Sequence, residues 1–221
     1  MILITSGAYI NQDLVSEVGL VPPSFLPIGN KRLYIEQLRH LSMFNSHDIY
    51  LSIPVSYEIS AWDKKILNKS NVKLVYVPEE MTLGESILFS MNQTGTMISD
   101  LILLHGDTLI LDPPTINENY FIIAENHGYY SRAELKTATC DLMKNDIVDE
   151  NKLVLAGMFR FKSPYGLVKS LVSNKCDFIS ALTQYAKENN VEYVKSESWI
   201  DVGHTNSYFQ ARCSYTTQRS F

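Results

Sequence analysis

Apolar residues fall in two kinds of run along this chain. Short continuous runs are Ile2 to Thr5, Asp48 to Ile53, Val72 to Val77 and Leu101 to Leu104. Each is closed by turn residues: Ser6-Gly7, Pro54, Pro78 and Gly106-Asp107. Runs of this length without polar alternation predict strands buried on both faces, as in a parallel sheet. Between them lie segments with helical spacing. Leu33 to Ser42 carries Leu33, Gln37, Leu38 and Leu41 on one face, Ile59 to Leu67 follows, and the segment opened by Thr82 turns Ile87, Leu88 and Met91 inward. Strand and helix therefore alternate up to Leu101, which predicts right-handed crossovers and an α/β fold.

After Pro113-Pro114 the pattern changes. Tyr120 to Ala124, Gly128 to Glu134 and Leu153 to Phe161 are strand-like with no long helix between them, which predicts a mixed sheet or a small antiparallel flap. Tyr129, Tyr130, Phe159 and Phe161 are expected either to line a substrate cleft or to fill the core. Leu167 to Val172 and Phe178 to Glu188 are helical, Val191 to Val194 is a short strand, and Trp199-Ile200-Asp201-Val202-Gly203-His204 is a strand running into a turn and a helix start.

With 221 residues, 45% hydrophobic and 19% charged, the chain is expected to form one packed domain over 1–221. The net charge of −5 gives no basic footprint, so nucleic acid is not expected as a partner, and an anionic substrate needs local cations or a divalent metal. Cys140, Cys176 and Cys213 lack paired spacing, which points to a reducing cytoplasm rather than a disulfide framework or a zinc site. No apolar run approaches the roughly 20 residues that cross a bilayer, so no membrane is expected.

The chemistry gathers where strands end. Asp107 follows an apolar strand and a glycine, at the edge where open α/β sheets bind ligands; it is a candidate metal ligand or simply a turn cap. Asp201 repeats that arrangement. Two strand-end aspartates can share one divalent cation, which prefers oxygen ligands and neutralises phosphate charge. Ser6-Gly7 is either a phosphate-binding loop or a plain turn. Thr82 with Glu85 makes a capping box, and the same helix start at Gly84-Glu85-Ser86 can face a nucleotide. Lys31 and Arg32 stand at the mouth of the helix from Leu33, to meet an anion or to be solvated. His105 and His204 flank the aspartates, either orienting phosphate or water or serving as hydrogen-bonded structure.

Taken in order, these pieces resemble the sugar-1-phosphate nucleotidyltransferases of GT-A-like fold. Leu26-Pro27-Ile28-Gly29-Asn30-Lys31 is similar to the L-P-I-x-N-K-P segment and Gly84-Glu85-Ser86 stands at its G-T-A helix start. Gly106-Asp107 is similar to the metal-binding G-D, Ala156 to Phe161 to the A-G-I-Y-x-F strand, and Trp199 to Gly203 to W-x-D-x-G. The resemblance implies a three-layer Rossmann-like fold with a mixed, mainly parallel sheet flanked by helices. It implies Mg2+ held by Asp107 and Asp201, with Asp107, Asp201 and Lys31 as the catalytic set. A nucleotide would lie over Ser6, Gly7, Gly84, Glu85, Ser86 and Gly106, and a sugar or polyol phosphate near Gly157, Tyr130 and His204. The implied reaction joins that phosphate to a nucleoside triphosphate and releases pyrophosphate.

The chain departs from the family in its first loop, where G-G-x-G-T-R is replaced by Ser6-Gly7-Ala8-Tyr9-Ile10-Asn11. Pro23 stands where a lysine is expected, and the E-K-P lysine has no clear counterpart. Lys31, Arg32, Arg132 or Lys136 would then have to meet the triphosphate. The alternative expectation is a catalytically weak or inactive domain that binds a sugar nucleotide or regulates a partner. The pattern also resembles a branch linked to surface-polysaccharide or capsule synthesis in which a kinase-like domain follows; the helix over Tyr208 to Arg219, with no evident stop, fits a continuation or a frayed end, and a homo-oligomer is the other assembly expected. A glycosyltransferase would want a D-x-D motif, and Asp107 to Asp112 lacks that spacing.

Overall fold

Alternate residues of the central strands point to opposite faces, and both faces are covered. In this computed structural model, which describes residues 1–44, 46–95, 97–126, 132–136, 141–145 and 152–217, Ile2 and Ile4 of β1 (Ile2–Thr5) face one layer of helices and Leu3 the other. The remaining central strands are β4 (Ile49–Pro54), β5 (Lys73–Val77), β6 (Leu101–His105), β8 (Tyr120–Glu125), β11 (Leu153–Phe161) and β12 (Glu192–Lys195). They are ordered β5-β4-β1-β6-β11-β8-β12, and β11 alone in this row runs against its neighbours. A hairpin of β9 (Arg132–Lys136) and β10 (Asp141–Asn145) extends the sheet beside the first half of β11, through Val154 opposite Glu134. It leans on a later helix, with Lys187 Nζ 3.0 Å from Asp141 Oδ1.

Helices α2 (Leu33–Leu41) and α3 (Ala61–Lys69) cover one face, burying Tyr34, Leu41 and Leu67 against Ile2, Ile4, Ile102 and Leu104. Helices α4 (Leu83–Gln93), α5 (Pro164–Ser173) and α6 (Phe178–Glu188) cover the other, burying Ile87, Leu171 and Tyr185 against Leu3, Leu103 and Phe161. The expected three-layer α/β architecture with a mixed, mainly parallel sheet is therefore present. No helix among the described residues is long and apolar enough to cross a membrane.

Two elements go beyond the sequence expectations. Gln12–Val18 forms a helix, α1, where the sequence predicts no element; it makes about two turns with Leu14 as its buried residue, too brief to show a period. The strand from Leu101 ends at Gly106-Asp107 as expected, but Thr108–Ile110 forms a further strand, β7, which leaves the main sheet to pair with β13 (Trp199–Asp201). Of the two places expected for Phe159 and Phe161 the structure shows the core: both are fully buried, packed on Phe121 and Tyr185, because β11 is an interior strand with helices over it. Tyr129 and Tyr130 lie outside the described residues.

A third apolar cluster sits beneath the end of the sheet. Ile10 and Leu14, Leu26 and Ile28 of the short hairpin β2 (Pro27–Ile28) and β3 (Lys31–Arg32), Leu109, Val202 and Tyr208 of α7 (Thr205–Thr217) pack together. The Tyr208 hydroxyl donates to the Pro27 carbonyl at 2.7 Å. This cluster fixes the β7–β13 pair, and with it both aspartates, to the body of the domain.

At the opposite edge, where β6 begins, Arg160 closes on Asp100 through Nε at 3.1 Å and Nη2 at 2.6 Å. Lys162 adds a contact at 3.0 Å and His47 one at 3.3 Å. Burial alone would raise the Asp100 carboxyl, but hydrogen bonds from Arg160 and Lys162 outweigh it and hold the group well below the ordinary carboxylate range.

Candidate active site

The C-terminal ends of β1, β4 and β6 point to one edge of the sheet, and Asp107 emerges there on the Gly106-Asp107 turn. Asp201 arrives from the far end of the chain on β13. Its register on β7 places Asp201 opposite Thr108, and the Val202 N–H donates to the Asp107 carbonyl at 2.9 Å, so the ladder itself sets the two acids side by side. Gly203 is wedged between them. A Cβ at that position would overlap the Asp107 carboxylate and come within 3.3 Å of Asp201 Oδ1. The Gly203 N–H donates to Asp201 Oδ1 at 2.9 Å, and Thr108 Oγ1 lies 3.4 Å from Asp107 Oδ1. Both acids are half-buried.

The turn carrying Asp107 is gripped from below. Gly106 fits because a Cβ there would lie 2.8 Å from the Thr5 carbonyl oxygen. Its own carbonyl accepts from Ser24 Oγ at 3.2 Å and from Gln37 Nε2 at 3.2 Å; Gln37 Nε2 also reaches the carbonyls of His105 at 3.1 Å and Thr108 at 2.8 Å. A run of buried serines ties this turn to the first loop. Ser6 Oγ accepts from the Ser24 N–H, and Ser52 Oγ accepts from the Ser6 N–H, each at 3.0 Å. Gln37, Ser24 and Ser52 were not candidates from the sequence. The available signal was Gln37 itself, an amide set among Leu33, Leu38 and Leu41 on the face predicted to turn inward.

The other candidates divide. Gly157 sits on a register slip of β11 between Leu155 and Phe159 with φ of 82°, and a Cβ there would lie 2.6 Å from Thr108 Oγ1 and 3.1 Å from His105 Nδ1. It therefore adjoins the Asp107 turn. His204 follows Gly203 and, with Asn11, Asp13, Thr205 and Asn206, lines an open depression of about 400 Å³. The Asn11 amide donates to the Gly203 carbonyl at 3.3 Å. Ser6-Gly7 lies against the start of α4: a Cβ at Gly7 would stand 2.8 Å from Ser86 Oγ, so these three candidates share one place.

Gly84, Glu85 and Lys31 are engaged by the chain itself. A Cβ at Gly84 would overlap the Cys176 carbonyl, on a turn whose Lys175 and Cys176 have φ of 51° and 61°. Glu85 Oε2 accepts from Thr82 N and Oγ1, both at 2.8 Å, which completes the capping box; the backbone bond, then the hydroxyl bond, lowers its carboxyl below the ordinary value. Lys31 Nζ pairs with the buried Glu36 at 3.0 Å, and Arg32 Nη1 donates to the Phe25 carbonyl at 3.0 Å. Lys136 pairs with Glu134 at 2.7 Å. The His105 ring packs between Phe159 and Phe178 at 5.5 and 5.9 Å. Tyr130 and the Arg132 side chain lie outside the described residues.

Two converging carboxylates form a hard-oxygen donor set. Among the described residues no group of three His, Cys, Asp or Glu side chains is placed to hold a metal. A pair of carboxylates is a donor set that fits Mg2+, which takes one or two carboxylates and fills its remaining positions with water and substrate phosphate.

No protein-family model matches the sequence, and no curated protein matches it. Solved structures do. A nucleoside-diphosphate-sugar pyrophosphorylase from Vibrio cholerae RC9 is similar over 96% of this chain and 100% of its own, with a TM-score of 0.71 at 12% identity. CTP:phosphocholine cytidylyltransferase from Streptococcus pneumoniae is similar over 96% and 97%, with a TM-score of 0.72 at 12% identity. A UDP-glucose pyrophosphorylase complexed with UDP-glucose is similar over 99% and 98%, with a TM-score of 0.65 at 18% identity. Likeness across whole chains at such identities is likeness of fold, and the chain has the fold shared by these nucleotidyltransferases.

Proposed function

We propose that this protein is a magnesium-dependent nucleotidyltransferase that transfers a nucleoside monophosphate from a nucleoside triphosphate to a sugar or polyol phosphate. The observation that carries the reading is the convergence of Asp107 and Asp201 on Gly203 at the C-terminal edge of the sheet. In the reaction a phosphate oxygen of the acceptor forms a bond to the α-phosphorus as the bond to the bridging oxygen breaks, and pyrophosphate leaves with that electron pair. Asp107 and Asp201 would hold the Mg2+, which when bound supplies neutralisation of phosphate charge.

The remaining work is positioning. Gly203 leaves room for the two carboxylates to approach one another, and the bulge at Gly157 brings β11 up against Thr108 without a side chain in the way. Precursors of surface polysaccharides are the product class in keeping with the resemblance.

Pyrophosphate release across a panel of nucleoside triphosphates and sugar or polyol phosphates tests the reading. Asp107→Asn and Asp201→Asn should each lower turnover by about 10²-fold or more, the usual loss when one charge-stabilising group is removed. Unchanged turnover in both variants removes the proposal.

A second reading is favoured by one observation: Lys31, the candidate cation nearest the family motif, is paired with the buried Glu36. In that reading the domain binds a sugar nucleotide without turning it over. Calorimetry showing tight sugar-nucleotide binding while no pair of substrates yields pyrophosphate would favour it.

A further inference from the structure

Gln37 is wholly buried in α2, and its two amide ends are treated differently. Nε2 faces three backbone carbonyls, those of His105, Gly106 and Thr108, at 3.1, 3.2 and 2.8 Å. Oε1, equally buried, has no hydrogen-bond partner among the described residues. Carbonyl oxygens only accept, so the nitrogen must be the end that faces them. Two amide hydrogens serve three acceptors, and those acceptors bracket Asp107 on both sides.

A core glutamine kept for packing would have both ends satisfied, or would be replaced by an apolar residue of similar shape. This one leaves an acceptor stranded and spends its donor wholly on a single turn. The helix that carries it is itself moored. Tyr34 donates to Asp63 of α3 at 2.8 Å, and Glu36 is held by Lys31 and by Arg39 at 2.8 Å. Ser24 reaches one of the same carbonyls from the other side.

We propose that Gln37 is a positioning residue that sets the aim of Asp107, and so the affinity of the two-aspartate site for a divalent cation. This rests on the reading of Asp107 and Asp201 as metal-holding residues. The grip acts on the backbone of the turn, so its loss lets the Asp107 carboxylate swing while leaving both acids in place.

The test measures Mn2+ binding to the full chain by the electron paramagnetic resonance signal of free Mn2+, alongside the melting temperature. Gln37→Leu keeps the bulk and removes the donor; it should weaken Mn2+ binding at least tenfold. Gln37→Glu places a buried carboxyl against three carbonyls, where the protonated acid can still donate one hydrogen bond. Relative to the unaltered chain at the same pH, its Mn2+ affinity should be nearly preserved at pH 6 and reduced at pH 8.

Gln37→Leu binding Mn2+ within twofold of the unaltered chain, while Asp107→Asn loses it, overturns the inference and leaves the metal-site reading standing. Asp107→Asn and Asp201→Asn both binding as the unaltered chain does, or an unaltered chain that binds no Mn2+, overturns that reading and the inference with it. Should Gln37→Leu fail to fold, the pH contrast in Gln37→Glu decides: a ratio to the unaltered chain that is the same at pH 6 and pH 8 overturns the inference.

Discussion

Gly203 shows how little freedom the site has. Its missing side chain is what lets the Asp107 carboxylate pass within reach of Asp201 Oδ1. Gly203→Ala should therefore leave the melting temperature within a few degrees while weakening Mn2+ binding and lowering any pyrophosphate release by tenfold or more; an unaffected Mn2+ titration would refute it. The placement of both aspartates at strand ends was legible in the sequence, because each closes an apolar strand with a glycine one or two positions away. Gln37, Ser24 and Ser52 were not legible, because their significance lies in which backbone carbonyl or amide they meet across the fold. Glu85 was legible twice over, as cap and as candidate ligand, and its carboxylate is committed to Thr82.

Among the elements, α4 illustrates what a local motif can state in advance. The Thr82 to Glu85 box is a matter of neighbouring residues, so composition and spacing sufficed to foresee it. Thr82→Ala should cost about 1 kcal/mol of stability, read as a lowered urea midpoint with an unchanged slope. An unaltered midpoint would deny the cap its role. The covering of the same helix start by the Cys176 carbonyl could not be foreseen, since it comes from the turn between α5 and α6 and depends on two left-handed residues. The strands were legible where apolar runs were continuous. The strand β7 was not, because Thr108–Ile110 is only three residues long and its pairing with β13 joins segments far apart in the chain.

On the scale of the molecule, the sheet has a chemical edge and a structural edge. Asp107 and Asp201 occupy the first; the Asp100, Arg160 and Lys162 network closes the second. Arg160→Met should destabilise the protein by roughly 2 kcal/mol, because it strips the partly buried Asp100 carboxylate of its main partner. Because folding depresses the Asp100 carboxyl, its contribution is present above the ordinary carboxylate pKa of about 4 and fades as pH falls below it. Acid titration of stability should show a loss below about pH 4 that is smaller in Asp100→Asn; identical acid limbs in the two proteins would exclude the network as its source. The alternation of strand and helix made the overall architecture legible, since crossover handedness and two-sided burial leave few other arrangements.

The reversal of β11 has a bearing on how such a chain can change. Because β11 runs backwards, its beginning and the end of β8 both come out at the edge that carries Asp107, and the β9–β10 hairpin is paired beside the first half of β11. The ladders that aim the two carboxylates are made elsewhere, by β6, β7 and β13. The β9–β10 hairpin can thus change in length or sequence while the ladders that hold Asp107 and Asp201 stay as they are, so the two vary as separable parts of one polypeptide.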